Sequence, residues 1–340
     1  MKTLTLFALL TLVSISSEAQ YITKYPEIPR IDVHTHVGNS YPGIEAYLAF
    51  RDQMLKERKM DVAMWINLGQ KGESAIDTIS KASNGRIMTG IVDFRPQYGL
   101  THKAEDIAGY LQKGYVGYKI WQGPYYRVLK EGEKGIRYLD DPAHQSVFTA
   151  MENAGMIGAS VHVADPNGPF GNRGKWAADP VEYWRQVMSM ERVMQRHPKL
   201  VMVAAHGGWL VCQDAQLDFL RYMFKTYPNY NVDIAATDQY YNLVNRENLR
   251  DLFIEFSDRI LFGTDASAYN KEAIPAMINR HAKSFQILET EDMVEGSFFG
   301  TSPTKGLNLP KEVLEKIYYK NAMRLYPGLA DRMRSLGYKY

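Results

Sequence analysis

The chain has 340 residues, of which 45% are hydrophobic and 23% charged, and its formal net charge is +2. Because Lys and Arg are dispersed, this near-neutral balance excludes a strongly basic nucleic-acid surface and a basic membrane-binding helix. We therefore expect a small-molecule substrate, no nucleic acid and no stable membrane anchor, and we leave a homo-oligomer open. Cys212 is the only cysteine, so an intramolecular disulfide and a cysteine-type structural zinc site are excluded.

The first residues are typical of a cleaved export signal. Lys2 precedes an apolar run from Leu4 to Val13, and the small residues Ser17 and Ala19 follow where a signal peptidase would cut. The apolar run is short for a membrane span, so a retained membrane helix is the weaker alternative. We predict a signal peptide over 1–19, cleaved near Ala19, and a single domain over 20–340 that is periplasmic or secreted.

Short apolar or β-branched runs alternate with longer amphipathic stretches along the rest of the chain, which is typical of βα units with a parallel sheet. Eight such runs predict a (β/α)8 TIM barrel of the α/β class. A doubly wound open sheet is the alternative, but no Gly-x-Gly-x-x-Gly turn follows the first strand. The eight runs are Arg30 to Gly38, Asp61 to Gly69, Ile87 to Pro96, Gly114 to Gly123, Met156 to Asp165, Leu200 to Trp209, Tyr230 to Asp238 and Arg259 to Ser267.

Two amphipathic stretches give the clearest helix predictions. The first covers 179–198, with Asp179 as N-cap, Pro180 at the first helical position and Pro198 as the stop. The second covers 309–328 and ends at Pro-Gly. Long connections on the carboxyl side of the strands are where barrel enzymes build substrate pockets. Three connections are long: 123–141, 166–176 and 269–309.

The run "RIDVHTHVG" places His34 and His36 on the same face of the first strand, near its carboxyl end. Two imidazoles there can bind one metal ion, although a pair of core or loop histidines is an equally good reading of this motif alone. His162 and His206 also fall at the ends of predicted strands. The other four histidines lie in helical or loop segments, where structural roles are expected: His102, His144, His197 and His281.

Asp265, in "FGTDAS", ends the eighth apolar run. A carboxylate buried there is costly unless it meets a cation or strong donors, although an N-cap role is the simpler alternative. Three imidazoles and a carboxylate suit zinc or another first-row divalent ion. The pattern therefore predicts a metal site at the carboxyl ends of the strands.

The ordered segments "DVHTHVG", "SVHV", "AHGGW", "LFGTDAS" and "LPKEVLEKIYYKNAMRLY" resemble the amidohydrolase superfamily. Within it they are similar to the amidohydrolase 2 group, which includes aminocarboxymuconate semialdehyde decarboxylase, resorcylate-type decarboxylases and lactonases. The resemblance covers most of the mature chain. It implies one divalent ion rather than two, with zinc first among candidates, held by His34, His36, His162 and Asp265. It also implies that His206 is the catalytic imidazole beside the ion.

The chemistry of these residue types agrees with the resemblance. A metal lowers the pKa of bound water towards neutrality, and Asp265 can accept the proton of that water and pass it to a leaving group. His206 can polarise the reacting carbonyl or donate a proton to it. Lys119 is expected to meet an acidic substrate group, although some members of the wider superfamily carboxylate such a lysine to bridge two metals. Aromatic residues that follow strand ends can line the pocket or pack structurally: Trp121, Tyr125, Tyr126, Trp209, Tyr240 and Tyr241.

Three functions remain open at this point. The leading hypothesis is a metal-dependent hydrolase of an amide, lactone or ester bond in a small molecule. The second is a non-oxidative metal-dependent decarboxylase (a lyase) of an aromatic or unsaturated acid, and the His-x-His pair favours hydrolysis slightly over it. The third is a non-catalytic periplasmic binding protein on the same barrel, because a fold does not dictate an activity.

Overall fold

The structure is a computed structural model, and it describes residues 21–37, 41–68, 76–93, 99–122, 138–167, 180–296 and 302–339. The predicted signal peptide (1–19) lies outside these residues, as do Asp179, Tyr125 and Tyr126. Much of two predicted long connections, 123–141 and 166–176, lies outside them too. None of the helices in the described ranges is both long and apolar enough to cross a membrane.

Every one of the eight predicted runs contains an observed β-strand. The third run is divided at Gly90 and the eighth at 262–265, so that each gives two short strands. The strands of the eight runs are β1 (Arg30–His36), β2 (Val62–Asn67), β3 (Ile87–Thr89), β4 (Ile91–Asp93), β5 (Tyr118–Trp121), β6 (Gly158–His162), β7 (Met202–Ala204), β8 (Tyr230–Asp233), β9 (Ile260–Leu261) and β10 (Ala266–Ser267). A small antiparallel pair, β11 (Met293–Val294) and β12 (Thr304–Lys305), was not predicted.

All pairings among β1 to β10 are parallel. One sheet has the order β10-β1-β2-β3, and the other has the order β4-β5-β6-β7-β8-β9. Gly90 joins them, since its amide donates to Asn67 O at 3.1 Å. At the other end, the Val33 amide donates to Phe262 O at 3.0 Å, which links the chain after β9 to β1. The α/β class with parallel strands is thus confirmed, and this arrangement is compatible with the predicted barrel.

Helices connect most successive strands, and they bury one face against the sheet. In α1, for example, the buried residues Tyr47, Phe50 and Met54 recur at the spacing of one helix face. The helices are α1 (Tyr41–Arg58), α2 (Ile76–Ala82), α3 (Ile107–Gln112), α4 (Gln145–Ala154), α5 (Pro180–Arg196), α6 (Asp214–Thr226), α7 (Arg246–Glu255), α8 (Ile274–Glu289), α9 (Lys311–Glu315), α10 (Asn321–Leu325) and α11 (Leu329–Ser335).

The helix predicted over 179–198 is observed as α5, which begins at Pro180. The helix predicted over 309–328 is instead interrupted, because a π-helical turn (Lys316–Lys320) separates α9 from α10. A π turn leaves backbone groups outside the regular helical pattern. The physical reason is visible at Ile317, whose carbonyl accepts the amide of Phe262 at 2.9 Å, next to β9.

Candidate metal centre and active site

Three side chains from the first and eighth predicted strands converge at one end of the sheet. His34 and His36 lie at the carboxyl end of β1, and Asp265 lies in the turn between β9 and β10. Asp265 Oδ1 is 2.9 Å from His36 Nε2 and 3.4 Å from His34 Nε2. One donor atom from each of the three residues falls within 4.8 Å of the others.

The chemistry and exposure of this group fit a divalent ion. Imidazole nitrogen and carboxylate oxygen are the donors that zinc takes from proteins when cysteine is absent. The His34 side chain is 1% exposed, whereas the side chains of His36 and Asp265 are each 27% exposed. The group is therefore anchored in the interior and open to solvent on one side, as an ion that must meet a substrate requires.

Asp265 is held as a carboxylate. Burial alone would raise its pKa, but the hydrogen bond with His36 and the electrostatic influence of the His34 and His206 rings outweigh burial and hold the pKa well below its usual value. Its backbone is left-handed, with φ 58°. Such a conformation costs a non-glycine residue about 1–3 kcal/mol and persists only where neighbouring contacts impose it.

The contacts that impose it come from β1. The Asp265 amide donates to His34 O at 2.8 Å. Asp32 Oδ1 accepts the amides of both His34 and Thr264, each at 3.1 Å. The carboxylate of Asp32 therefore fixes the spacing between the strand that carries the histidine pair and the turn that carries Asp265.

Asp233, at the carboxyl end of β8, was missed by the sequence analysis. Its Oδ2 lies 3.1 Å from His34 Nδ1, and its Oδ1 accepts the amides of His206 and Ala235 at 3.1 Å each. Burial opposes ionisation of Asp233, but His34 and His206 outweigh it and lower its pKa to about 2. A carboxylate on the far nitrogen of a metal-binding imidazole fixes the tautomer in which the near nitrogen carries no proton. The available signal was an acidic residue at the end of an apolar run, as for Asp265.

His206 lies in an unusual turn directly after β7. His206, Gly207, Gly208 and Trp209 all have positive φ, between 55° and 64°. A Cβ at Gly208 would lie 2.7 Å from the hydroxyl of Tyr230, so glycine is needed there for space as well as for conformation. His206 and Trp209 flank the two glycines and share their left-handed backbone although neither is glycine. Such strain indicates a turn that serves a purpose other than stability.

The ring of His206 faces the converging group. Its centroid is 4.9 Å from that of His34 and 4.7 Å from that of His162. Its Nδ1 lies 2.7 Å from Ala235 O, and an imidazole nitrogen beside a carbonyl is the one that carries hydrogen. Burial, together with His162 and His34, lowers the pKa of His206 well below its usual value. His206 is thus neutral with a free lone pair on Nε2, and it must gain a proton before it can donate one.

His162, at the end of β6, lies beside His206. Its Nε2 is 3.0 Å from Nε1 of Trp209 and 3.8 Å from Asp165 Oδ1. It does not join the compact group of His34, His36 and Asp265 within the part of the chain that the structure describes.

Lys119, on β5, reaches the same interior. Its Nζ lies 3.1 Å from His34 Nε2 and donates to Ser160 Oγ at 2.9 Å. The residue is 2% exposed. Burial lowers the pKa of Lys119 to about 8, although Asp265 and Asp233 act in the opposite direction. Lys119 is therefore a buried cation or amine at the candidate centre, where the sequence placed it.

The candidate aromatic residues divide into two classes. Trp209 stacks on His206 with centroids 4.4 Å apart and receives the edge of Tyr240 at 5.9 Å. Trp121 is half-buried at the end of β5, with its ring 6.4 Å from that of His162. Tyr241 is instead buried against Phe253 and belongs to the core.

The remaining histidines contact structural groups, as expected, with one exception. His102 approaches Val92 O and the Tyr110 hydroxyl, His144 approaches Leu139 O, and His197 approaches Gln145. His281 is fully buried on α8, with Nε2 3.5 Å from Asp32 Oδ2. His281 therefore lies beside the residue that positions the candidate centre, a proximity that the sequence analysis did not predict.

Comparison with known proteins gives one match to a protein family. A family model described as "Amidohydrolase" matches residues 132–328, which is more than half of the chain. No curated protein matches the sequence.

Solved structures of similar fold share little sequence with the chain. Dihydroorotase from Saccharomyces cerevisiae, in complex with 5-fluoroorotic acid, aligns with a TM-score of 0.51 and 10% identity over 88% of this chain and 84% of that one. A protein from Agrobacterium tumefaciens aligns at 0.49 with 12% identity over 87% and 95% of the two chains. Amidohydrolase 2 from Bifidobacterium longum subsp. infantis aligns at 0.45 with 10% identity over 88% and 98%.

Proposed function

Because the chain belongs to the amidohydrolase family, we propose that it is a metal-dependent hydrolase of an amide, lactone or ester bond in a small molecule. Membership of this family supports an enzymatic function, whereas the type of reaction is our own inference. The observation that carries it is the convergence of His34, His36 and Asp265, whose donor atoms lie within 4.8 Å of one another at the carboxyl ends of the strands.

We propose that these three residues, with His162, hold one divalent ion, and that zinc is the first candidate. A bound ion of this kind supplies Lewis-acid chemistry and activates water for attack. The two histidines of β1 would each offer one ring nitrogen to the ion. That of His34 is set by the contact of its Nδ1 with Asp233 at 3.1 Å.

The protein's own groups then move the proton. Asp265 is ionised and 27% exposed, so its carboxylate can accept a proton from the attacking water and pass it to the leaving group. His206 enters the reaction neutral, with Nε2 as an acceptor, because Nδ1 is committed to Ala235 O. Its Nε2 can take up the proton that Asp265 accepts from water and deliver it to the leaving group, so that one proton leaves the water and one reaches the departing atom.

Lys119 supplies the positive charge that an acidic substrate group would meet, and Trp209 and Trp121 supply aromatic surface at the carboxyl ends of the strands. This combination favours a small acidic or cyclic substrate. The same cation could hold the carboxylate of an aromatic acid, and this observation keeps decarboxylation as the second candidate.

The test is turnover by the zinc-loaded protein on parallel panels of lactones, amides, esters and hydroxybenzoates. Hydrolytic products without carbon dioxide are the expected result. Carbon dioxide release without hydrolysis would establish the decarboxylase instead. Tight binding of a panel member with no product, at full zinc content, would favour a binding protein that keeps the barrel without the reaction.

A further inference from the structure

Trp209 makes direct contact with two of the candidate histidines. Its indole nitrogen lies 3.0 Å from His162 Nε2, and its ring stacks on His206 at 4.4 Å with an interplanar angle of 20°. The side chain also packs against Tyr240. Trp209 therefore has a specific relationship to the centre beyond packing.

The hydrogen bond fixes the state of His162. An indole N–H donates and never accepts, so His162 Nε2 must be the acceptor and its proton must sit on Nδ1. The Nε2 atom of an imidazole has one lone pair in the plane of the ring. That lone pair can meet the indole N–H or a metal ion, but it cannot serve both.

Trp209 is held firmly in this position. Its carbonyl accepts the hydroxyl of Tyr183 at 2.9 Å, its φ is 55°, and it is 5% exposed. The left-handed turn that places His206 places Trp209 as well. Release of His162 therefore requires either a rotation of the imidazole or a movement of a clamped indole.

We propose that Trp209 is a positioning residue that competes with the ion for His162 and so weakens ion binding while ordering His162 and His206. This inference rests on the proposed metal-dependent function. The indole N–H of Trp209 holds His162 Nε2 at 3.0 Å. To bind an ion, His162 Nε2 would have to give up this indole partner.

The first test measures zinc affinity by competition with a chelator. Trp209→Phe keeps an aromatic ring on His206 but removes the N–H, so we expect zinc to bind about fivefold more tightly, which corresponds to about 1 kcal/mol. In a His162→Ala background the same substitution should leave zinc affinity unchanged. Trp184→Phe is the matched control, because Trp184 packs against Tyr183 and Phe219 on the outer helices.

The second test uses the unaltered Trp209 and stays decisive if Trp209→Phe fails to fold. The chain has 5 tryptophans, so its 15N-labelled form gives few indole N–H resonances. Zinc should shift the Trp209 resonance of the wild-type protein strongly. The same resonance in His162→Ala should not shift at saturating zinc. Unchanged affinity in Trp209→Phe, or no zinc-dependent indole shift in the wild type, would overturn the proposal. A wild-type protein that binds no zinc would instead refute the proposed function itself.

Discussion

The hydroxyl of Thr264 donates to Asp32 Oδ2 at 2.5 Å and ties the first strand to the turn that carries Asp265. The same hydroxyl oxygen accepts the amide of Ala266 at 3.1 Å. Asp32 is fully buried, and its other oxygen receives two backbone amides. The relative positions of the histidine pair and Asp265 thus depend on one carboxylate and one hydroxyl that are not themselves members of the candidate donor group.

Thr264→Val should therefore weaken zinc binding. Removing the hydroxyl takes away the charge-assisted hydrogen bond to Asp32 Oδ2, which costs about 2 kcal/mol of stability, and loss of such support lowers metal affinity by about 10- to 100-fold. Thr264→Ser keeps the hydroxyl and should restore most of the affinity. Chelator competition and urea unfolding measure the two effects, and equal affinities for Val and Ser would contradict the positioning role.

Asp233 should make stability fall in acid. Because its pKa is lowered to about 2 in the folded protein, the ionised form stabilises folding above about pH 4, the usual range of an aspartate. That contribution, about 2 kcal/mol, is lost as pH falls towards 2. Urea unfolding of zinc-free wild type and Asp233→Asn tests this. The wild type should be more stable at neutral pH and the difference should shrink below pH 4, whereas a constant difference would show that the charge of Asp233 is not involved.

Gly263→Ala should disturb the centre by direct contact. A Cβ at Gly263 would lie 3.0 Å from His34 Cβ and 3.3 Å from Ala235 Cβ. We expect a loss of about 1–3 kcal/mol of stability and weaker zinc binding, because His34 must shift. Gly109→Ala on α3 is the control, since a Cβ there meets nothing within 4 Å. If Gly263→Ala matched this control in both stability and zinc affinity, His34 could shift away from the added methyl group without measurable cost.

His206→Ala and His36→Ala should separate catalysis from ion binding. His206 contributes a proton acceptor, so its loss should lower kcat by about 10²- to 10⁴-fold while the zinc content stays near that of the wild type. His36→Ala should lose zinc together with activity. Elemental analysis beside steady-state kinetics distinguishes the two, and a His206 variant with unchanged kcat would remove His206 from the reaction.

Cys212 should be inert to thiol reagents in the folded protein. Its side chain is fully buried, and burial raises the pKa of the thiol, so little thiolate forms and none is accessible. We expect no reaction with a disulfide reagent until denaturant is added, and one thiol per chain afterwards. Rapid labelling of the native protein would show that the loop after Trp209 opens.

Much of the fold was readable from the sequence because strand patterns are local. All eight apolar runs form strands. Alternation along β1 predicted that His34 and His36 share one face, and a donor atom of each lies within 4.8 Å of a donor atom of Asp265. The helix over 309–328 was predicted without its π turn. In that turn the carbonyl of Ile317 accepts the backbone amide of Phe262, which lies far away in the sequence.

The finer layout of the centre was not readable. Left-handed backbone at Asp265 and His206 is imposed by distant partners, and no glycine marks either position. The bond between Trp209 and His162 depends on the course of a turn rather than on spacing. Asp233 gave the same kind of signal as Asp265, but its role depends on which nitrogen of His34 it meets.

The carbonyl of Ile317 has a consequence for how the molecule is assembled. It completes the hydrogen bonding of Phe262, whose own carbonyl receives the amide of Val33. In a nascent chain that still lacks the helices after β12, the carbonyl of Phe262 could accept the amide of Val33, but the amide of Phe262 would lack its acceptor, Ile317 O. The backbone link between β1 and the chain after β9 is therefore supported by a segment that lies outside the candidate centre.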